Sequence, residues 1–295
     1  MRLFLLPIST RRTLLYSQKL QTLPSEKQTY LDKATIKAAT LWAGWEKKES
    51  GWQKKVVEYG NYALRRIPYE EWGLKSVPPL STRRREEEIL GKEKHHLIYP
   101  QSVIPTTKAT GVLRTLGTER ESLHKSRLIW CFVGMPISAP FALIPIIPNL
   151  PFFYLVYRAW SHWRALAGGR HIKWLAENDF LTLAPSKVLD TIYTPLLLPD
   201  SPGQMVTDAK SESAPSINEG PLEGDEKMLL TQDHGRELVR ALEIPELEVE
   251  LERAIWQVED AISQKKKQKE EEENSKADDS ASTTSDSSNS DSDKK

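Results

Sequence analysis

The longest apolar stretch of the chain predicts its most unusual element. Residues 128–157 are thirty consecutive residues without a charged side chain. A membrane-spanning helix needs about 20 predominantly apolar residues, so the stretch is long enough for one crossing and too short for two. It also contains five prolines, which bend or stop helices. We therefore predict two helices, over about 119–144 and 151–167, that meet at a proline-rich break. Insertion as a single span or as a re-entrant hairpin is favoured, and a buried hairpin in a soluble protein is the alternative.

Aromatic and basic side chains follow this stretch directly. Tryptophan beside arginine is typical of the level at which a helix leaves the bilayer. The candidate membrane-interface residues are Arg158, Trp160, His162, Trp163 and Arg164. A packed helix with tryptophan inside and arginine outside is the alternative. Gly168 and Gly169 are predicted to end this helix, and short helices are expected over 171–180 and 186–193.

Helical periodicity marks most of the remaining chain. Apolar residues at helical spacing predict helices over about 26–49 and onward to about residue 66. A second group of helical patterns begins at residue 226, after a stretch (200–225) whose Ser, Pro, Gly and acid content predicts a disordered linker. Within that group one apolar stripe must pack on its own domain or on a partner helix. Its members are Leu247, Leu251, Ile255, Val258 and Ile262.

These patterns predict a mainly α, membrane-associated protein with a disordered linker and tail. The predicted division is a helical domain over 1–199, the linker over 200–225, a C-terminal helical segment over 226–268 and a disordered acidic tail over 269–295.

The formal net charge of zero conceals a strongly dipolar chain. Residues 1–127 carry 24 basic and 13 acidic side chains, whereas residues 200–295 carry 12 and 25. Up to residue 24 there are four basic residues, several hydroxyls and no acid, which is the composition of a mitochondrial transit peptide. The alternative is that this segment is the first strand or helix of the folded domain.

The sequence contains few signs of catalytic or metal chemistry. None of its six histidines has the spacing of a zinc motif, its single cysteine cannot form an internal disulfide, and the usual hydrolase, NTPase and dinucleotide motifs do not occur. We therefore expect no enzyme activity, no cofactor, no metal site and no nucleic-acid binding. No Asp or Glu lies between Glu121 and Glu177. Proton-coupled carriers usually place such an ionisable group within the membrane.

Three segments carry a family resemblance. They are the opening MRLFLLPISTRR, the central PNLPFFYLVYRAWSHWRALAGG and the later LLTQDHGRELVRALEIPELEVELERAIWQVE. Over residues 1 to about 260 the chain resembles the fungal mitochondrial potassium/proton exchange-related protein family. The resemblance implies an inner mitochondrial membrane protein that takes part in potassium/proton exchange and in the control of matrix potassium and volume. It also implies that the N-terminal segment, as part of the family domain, is an uncleaved signal.

Three functional interpretations follow. The missing acidic residue favours a regulator or component of the exchange system over a stand-alone antiporter. The mitochondrial membrane, other exchange-system proteins and a second copy of the chain are its candidate partners. The second interpretation is a membrane-anchored interaction or assembly protein that docks partners through a helix over 246–264. The third is a soluble matrix protein with a buried proline hairpin.

Overall fold

A four-stranded sheet lies at the centre of the molecule. The computed structural model describes residues 1–18, 37, 40–48, 50–91, 95–140, 150–197 and 226–285. Its strands are β1 (Arg2–Pro7), β2 (Thr13–Gln18), β3 (His95–Tyr99) and β4 (Leu181–Pro185). Their order is β2-β1-β3-β4, with β1 antiparallel to β2 and parallel to β3, and β3 parallel to β4. Because parallel neighbours need long crossovers, helices from the middle of the chain connect these strands.

The N-terminal segment forms two of the four strands. Leu3, Leu5 and Leu6 on β1 are fully buried, as expected for a strand covered on both faces. The turn between β1 and β2 is closed by a hydrogen bond from the Ile8 backbone N–H to the Arg12 carbonyl (2.8 Å). The alternative of a first strand is thus confirmed, and the segment with transit-peptide composition is part of the core.

Helices make up most of the remaining described residues, as the sequence predicts. They are α1 (Trp52–Arg65), α2 (Tyr69–Ser76), α3 (Thr82–Ile89), α4 (Thr106–Thr118), α5 (Glu121–Ser138), α6 (Leu150–Glu177), α7 (Lys187–Leu197), α8 (Gln232–Leu242) and α9 (Leu247–Ser285). The predicted helix end near residue 66 is confirmed. Most of the helix predicted over 26–49 lies outside the described residues, although 40–46 are helical.

Helices α5 and α6 pack against each other on either side of the proline-rich break, which itself lies outside the described residues. Within the part of the chain that the structure describes, no helix is both long and apolar enough to cross a membrane. Helix α6 is longer than predicted, since it passes through Gly168 and Gly169 and includes the short helix expected from residue 171.

The prediction that Gly168 and Gly169 end this helix is wrong, because their role is close packing. A Cβ atom on Gly168 would lie 2.0 Å from the Leu74 carbonyl oxygen, and one on Gly169 would lie 2.5 Å from the Gly117 carbonyl oxygen. Glycine at these positions therefore lets α2 and α4 approach α6 closely. Beyond α6 the chain forms β4, where the sequence had predicted no strand.

The C-terminal helices share one core with the N-terminal strands. The Leu229 backbone N–H donates to the Ile8 carbonyl (2.9 Å), and Leu230 is fully buried. Helices α8 and α9 pack against each other, and α9 also contacts α2 and β2. The predicted C-terminal helical segment over 226–268 therefore contributes to the same core as the N-terminal strands. Helix α9 continues to Ser285, beyond the predicted start of a disordered tail, and the predicted linker lies outside the described residues.

Candidate functional site: a buried polar network

A buried ion pair joins α2 to α6. Two hydrogen bonds connect Arg158 to Glu71, from Nη1 to Oε1 (2.8 Å) and from Nη2 to Oε2 (3.1 Å). Glu71 is 1% exposed and Arg158 is 8% exposed. Glu71 lies in the first turn of α2, after Pro68, where a helix N-terminus favours an acidic side chain. Such bidentate, charge-assisted pairs have strong geometric preferences, so this contact fixes how α2 lies on α6.

Ser161 extends the network to a lysine. Its hydroxyl donates to Glu71 Oε1 (2.5 Å) and accepts a hydrogen bond from the Lys75 ammonium group (3.0 Å). Lys75 Nζ also lies 3.3 Å from the centre of the Trp72 ring and 3.5 Å from the Tyr157 hydroxyl oxygen. The amino group is therefore enclosed by aromatic rings and connected to Glu71 through one hydroxyl.

Two histidines continue the network to α5. His162 Nε2 lies 3.1 Å from Arg158 Nη2, and His162 Nδ1 lies 3.1 Å from His124 Nδ1. A guanidinium group can only donate, so His162 Nε2 accepts and its Nδ1 carries the proton. That proton is donated to His124 Nδ1, which leaves the N–H of His124 at Nε2. Among the described residues this buried N–H has no partner.

Burial and neighbouring cations keep both histidines neutral. Burial lowers the pKa of His162 to about 4, with Glu71 opposing the change and Arg158 reinforcing it. The pKa of His124 is also lowered, first by burial. Burial would raise the pKa of Glu71, but hydrogen bonds from Arg158 and Ser161 outweigh it, so the carboxyl group stays ionised.

The same network brings together three potential metal ligands. One ligand atom each from Glu71, His124 and His162 lies within 4.8 Å of the others. Histidine spacing along the chain did not reveal this group. Arg158 makes it a poor cation site, because it already occupies both carboxylate oxygens and donates to His162 Nε2. A His162 that bound a metal through Nδ1 would place an N–H at Nε2 against the Arg158 N–H.

Comparison with known proteins identifies the family. The family model described as "Mitochondrial K+-H+ exchange-related" matches residues 2–176, which contain the whole network. The chain belongs to the mitochondrial K⁺–H⁺ exchange-related family. It is 30% identical over 192 residues to an uncharacterized protein of Schizosaccharomyces pombe, a match that covers 64% of this chain and 81% of the relative. It is 25% identical over 276 residues to an uncharacterized protein of Saccharomyces cerevisiae, covering 85% and 82%. No solved structure matches it.

A second buried cluster of this exchange-related protein joins α3, β3 and α6. His171 donates from Nδ1 to the Pro78 carbonyl (2.7 Å), and its Nε2 lies 2.9 Å from Glu88 Oε1. His95 Nε2 lies 3.3 Å from the same oxygen. Burial would raise the pKa of Glu88, but its contacts with His171 and His95 outweigh burial and hold the pKa at about 2. This cluster therefore holds α3 against β3 and α6.

The five candidate membrane-interface residues differ in how far they are buried. Arg158 and His162 are buried in the network, which corrects their placement at a membrane surface. Arg164 is half-buried and donates to the Lys75 carbonyl (3.2 Å). Trp160 is half-buried, and Trp163 is 40% exposed. The alternative of tryptophan inside and arginine outside is also wrong, since the most buried of these cations is Arg158.

The candidate partner-docking stripe packs on its own chain. Leu247, Leu251, Ile255 and Val258 are each at most 1% exposed, and Ile262 is partly buried against the same core. Gly235 on α8 allows this packing, because a Cβ there would lie 2.9 Å from Ile255. The stripe is therefore covered by α8 and neighbouring elements of the same chain, which corrects its assignment as a surface for a partner helix.

Sequence reasoning named Arg158 and His162 and missed Glu71, Lys75 and His124. The local signal was the i, i+4 spacing of Glu71 with Lys75 and of Arg158 with His162, which places each pair on one helix face. Nothing in one sequence pairs Glu71 with Arg158, which are 87 positions apart.

Proposed function

We propose that this protein acts at the inner mitochondrial membrane as a regulator or component of the potassium/proton exchange system. The observation that carries the proposal is the family match over residues 2–176, which includes the polar network and the whole apolar segment. The family description connects the chain with mitochondria and with exchange, while the inner-membrane position and the regulatory role are our inference.

An exposed apolar surface on the α5–α6 hairpin supports attachment to a membrane. Trp130 is 69% exposed, Phe132 58%, Ile137 70% and Phe153 61%. Large exposed apolar side chains grouped on one pair of helices are typical of protein or membrane contacts. The segment that joins the two helices is also uncharged. Basic residues near the start of α5 would attract anionic lipid headgroups. The sequence has no acid between Glu121 and Glu177 that would oppose this attraction.

The position of the acidic group favours a regulator or component over a carrier. Glu71 belongs to α2, outside the apolar segment, and both its oxygens are held by Arg158 or Ser161. A carboxylate bound in this way is not available to coordinate potassium. A hairpin of two helices also cannot enclose an ion pathway without additional protein.

Swelling of mitochondria in potassium acetate tests the proposed role. Mitochondria that lack the protein should swell more slowly than wild-type mitochondria, and reintroduction of the wild-type chain should restore the rate. Equal swelling with and without the protein would refute a role in exchange. If the purified protein alone catalysed exchange in liposomes, it would be an antiporter and the regulatory assignment would be wrong.

Carbonate extraction tests the location. We expect the chain to remain with inner-membrane vesicles after extraction at alkaline pH. Recovery in the soluble fraction would favour the third interpretation, a matrix protein.

A further inference from the structure

We propose that Lys75 is the proton-binding residue of this protein, and that its buried amino group gains and loses one proton within the polar network that holds the hairpin. The proposal rests on the proposed role in potassium/proton exchange and names a residue that binds the proton. In chemical terms, the lone pair of the Lys75 amine takes a proton from hydronium, so that one N–H bond forms, one O–H bond breaks and water remains; the reverse step returns the proton to water. No other covalent bond changes.

The immediate surroundings of Lys75 stabilise both of its forms. The residue is 6% exposed, and its nitrogen lies 3.3 Å from the centre of the Trp72 ring. The ring face attracts an ammonium group. Among the described residues its hydrogen-bond partners are the hydroxyl oxygens of Ser161 (3.0 Å) and Tyr157 (3.5 Å), and both are neutral. Burial without a directly bonded carboxylate favours the uncharged amine, so neither form is strongly preferred.

Charged groups face Lys75 from every helix packed around it, and their effects oppose one another. Helix α2 contributes Glu71, α6 contributes Arg158, and α9 contributes Glu250 and Arg253. Both acids attract the ammonium form and both arginines repel it. Burial is thus the largest influence, and it lowers the pKa of Lys75 from 10.5 to about 7. Tyr157 and the two histidines add no charge near neutral pH, because burial raises the pKa of Tyr157 and lowers those of the histidines.

Proton uptake at Lys75 changes the charge of the network at the base of the hairpin. With the amine neutral, the network contains one acid, Glu71, and one base, Arg158. With the ammonium form it gains an uncompensated positive charge. Ser161 and Tyr157 transmit this change to α6, where Tyr157 is the last residue of the uncharged stretch. The proton and the membrane-facing hairpin are thereby coupled through one helix.

NMR of lysine ¹³Cε signals in the full-length protein tests proton binding directly. Lys75→Met should remove one signal, which assigns it, and Lys75→Arg provides the same assignment if the methionine variant does not fold. We expect this signal to titrate near pH 7 in the wild-type protein. In urea the same nucleus should titrate near the ordinary lysine value of about 10.4. A midpoint above pH 10 in the folded protein would overturn the proposal.

Swelling of mitochondria at several pH values tests whether the site contributes to exchange. Lys75→Met fixes a neutral side chain and Lys75→Arg fixes a charged one. Both should flatten the dependence of the swelling rate on pH between about 6 and 8. An unchanged dependence in both variants would overturn the role of Lys75 in exchange. If deletion of the whole protein leaves swelling unaltered while the NMR midpoint lies near 7, the proposed function fails and the proton-binding site remains.

Discussion

The Glu71–Arg158 pair offers a sharp test of how the fold is held. Glu71→Gln keeps the size and shape of the side chain and removes its charge. Arg158, 8% exposed, then keeps its own charge without a counter-ion. Breaking a buried ion pair by removing one partner costs about 3–5 kcal/mol. The amide oxygen can still accept one hydrogen bond, so we expect a loss near the lower figure, about 3 kcal/mol of unfolding free energy. This is a large share of the 5–15 kcal/mol typical of a folded protein.

Urea unfolding followed by tryptophan fluorescence measures this loss, with linear extrapolation to water. The matched control is Glu70→Gln on the neighbouring residue, whose partner Arg120 is about one-third exposed. Exposed pairs contribute about 0–1 kcal/mol, so the control should change stability by less than 1 kcal/mol. The double variant Glu71→Leu with Arg158→Met should cost clearly less than the sum of the two single changes, because no unpaired charge remains buried. A cost below 1 kcal/mol for Glu71→Gln, or full additivity in the double variant, would refute the reasoning.

Three further predictions concern other parts of the molecule. Deletion of residues 1–18 removes two core strands and should give protein without a cooperative unfolding transition; a cooperative transition would show that these strands are dispensable. The depressed pKa of Glu88, about 2 against 4.5, stabilises the fold above pH 4.5, and this stabilisation is lost as pH falls towards 2. Glu88→Gln should therefore cost about 3 kcal/mol at pH 7 and progressively less below pH 4.5 in urea titrations, and a difference constant from pH 7 to 3 would contradict this. Trp130→Asp should reduce flotation with vesicles containing anionic lipid, whereas Val249→Asp at a similarly exposed position on α9 should not; equal flotation of the two variants would exclude the hairpin surface as the membrane contact.

Periodicity predicted the elements whose signal is local. The end of α1 and the apolar stripe of α9 each follow from residues within one element. The sheet did not, because β1 is a short apolar run between arginines and reads equally well as a transit peptide. It pairs locally with β2, but its place in the centre of the sheet depends on pairing with β3, some 90 positions later, which no local pattern in one sequence encodes.

Glycine was the most misleading local signal. A pair of glycines after an amphipathic helix usually predicts its end. At Gly168 and Gly169 the same residue type instead removes side chains where α2 and α4 cross α6. The choice between an end and a crossing depends on the partner helix, so it becomes decidable only in three dimensions.

The acidic residue missing from the apolar segment illustrates the same dependence on tertiary structure. Counting along the sequence correctly finds no acid between Glu121 and Glu177. The fold nevertheless places Glu71 against Arg158, one position beyond that segment's uncharged part. A carboxylate is thus present at the base of the hairpin, but Arg158 balances its charge there. In our proposal the group whose charge changes near neutral pH is Lys75, which two hydrogen bonds through Ser161 connect to Glu71. We therefore propose that proton binding, which a carrier would assign to an acid, belongs here to an amine outside the apolar segment, as suits a protein that senses protons for an exchange system.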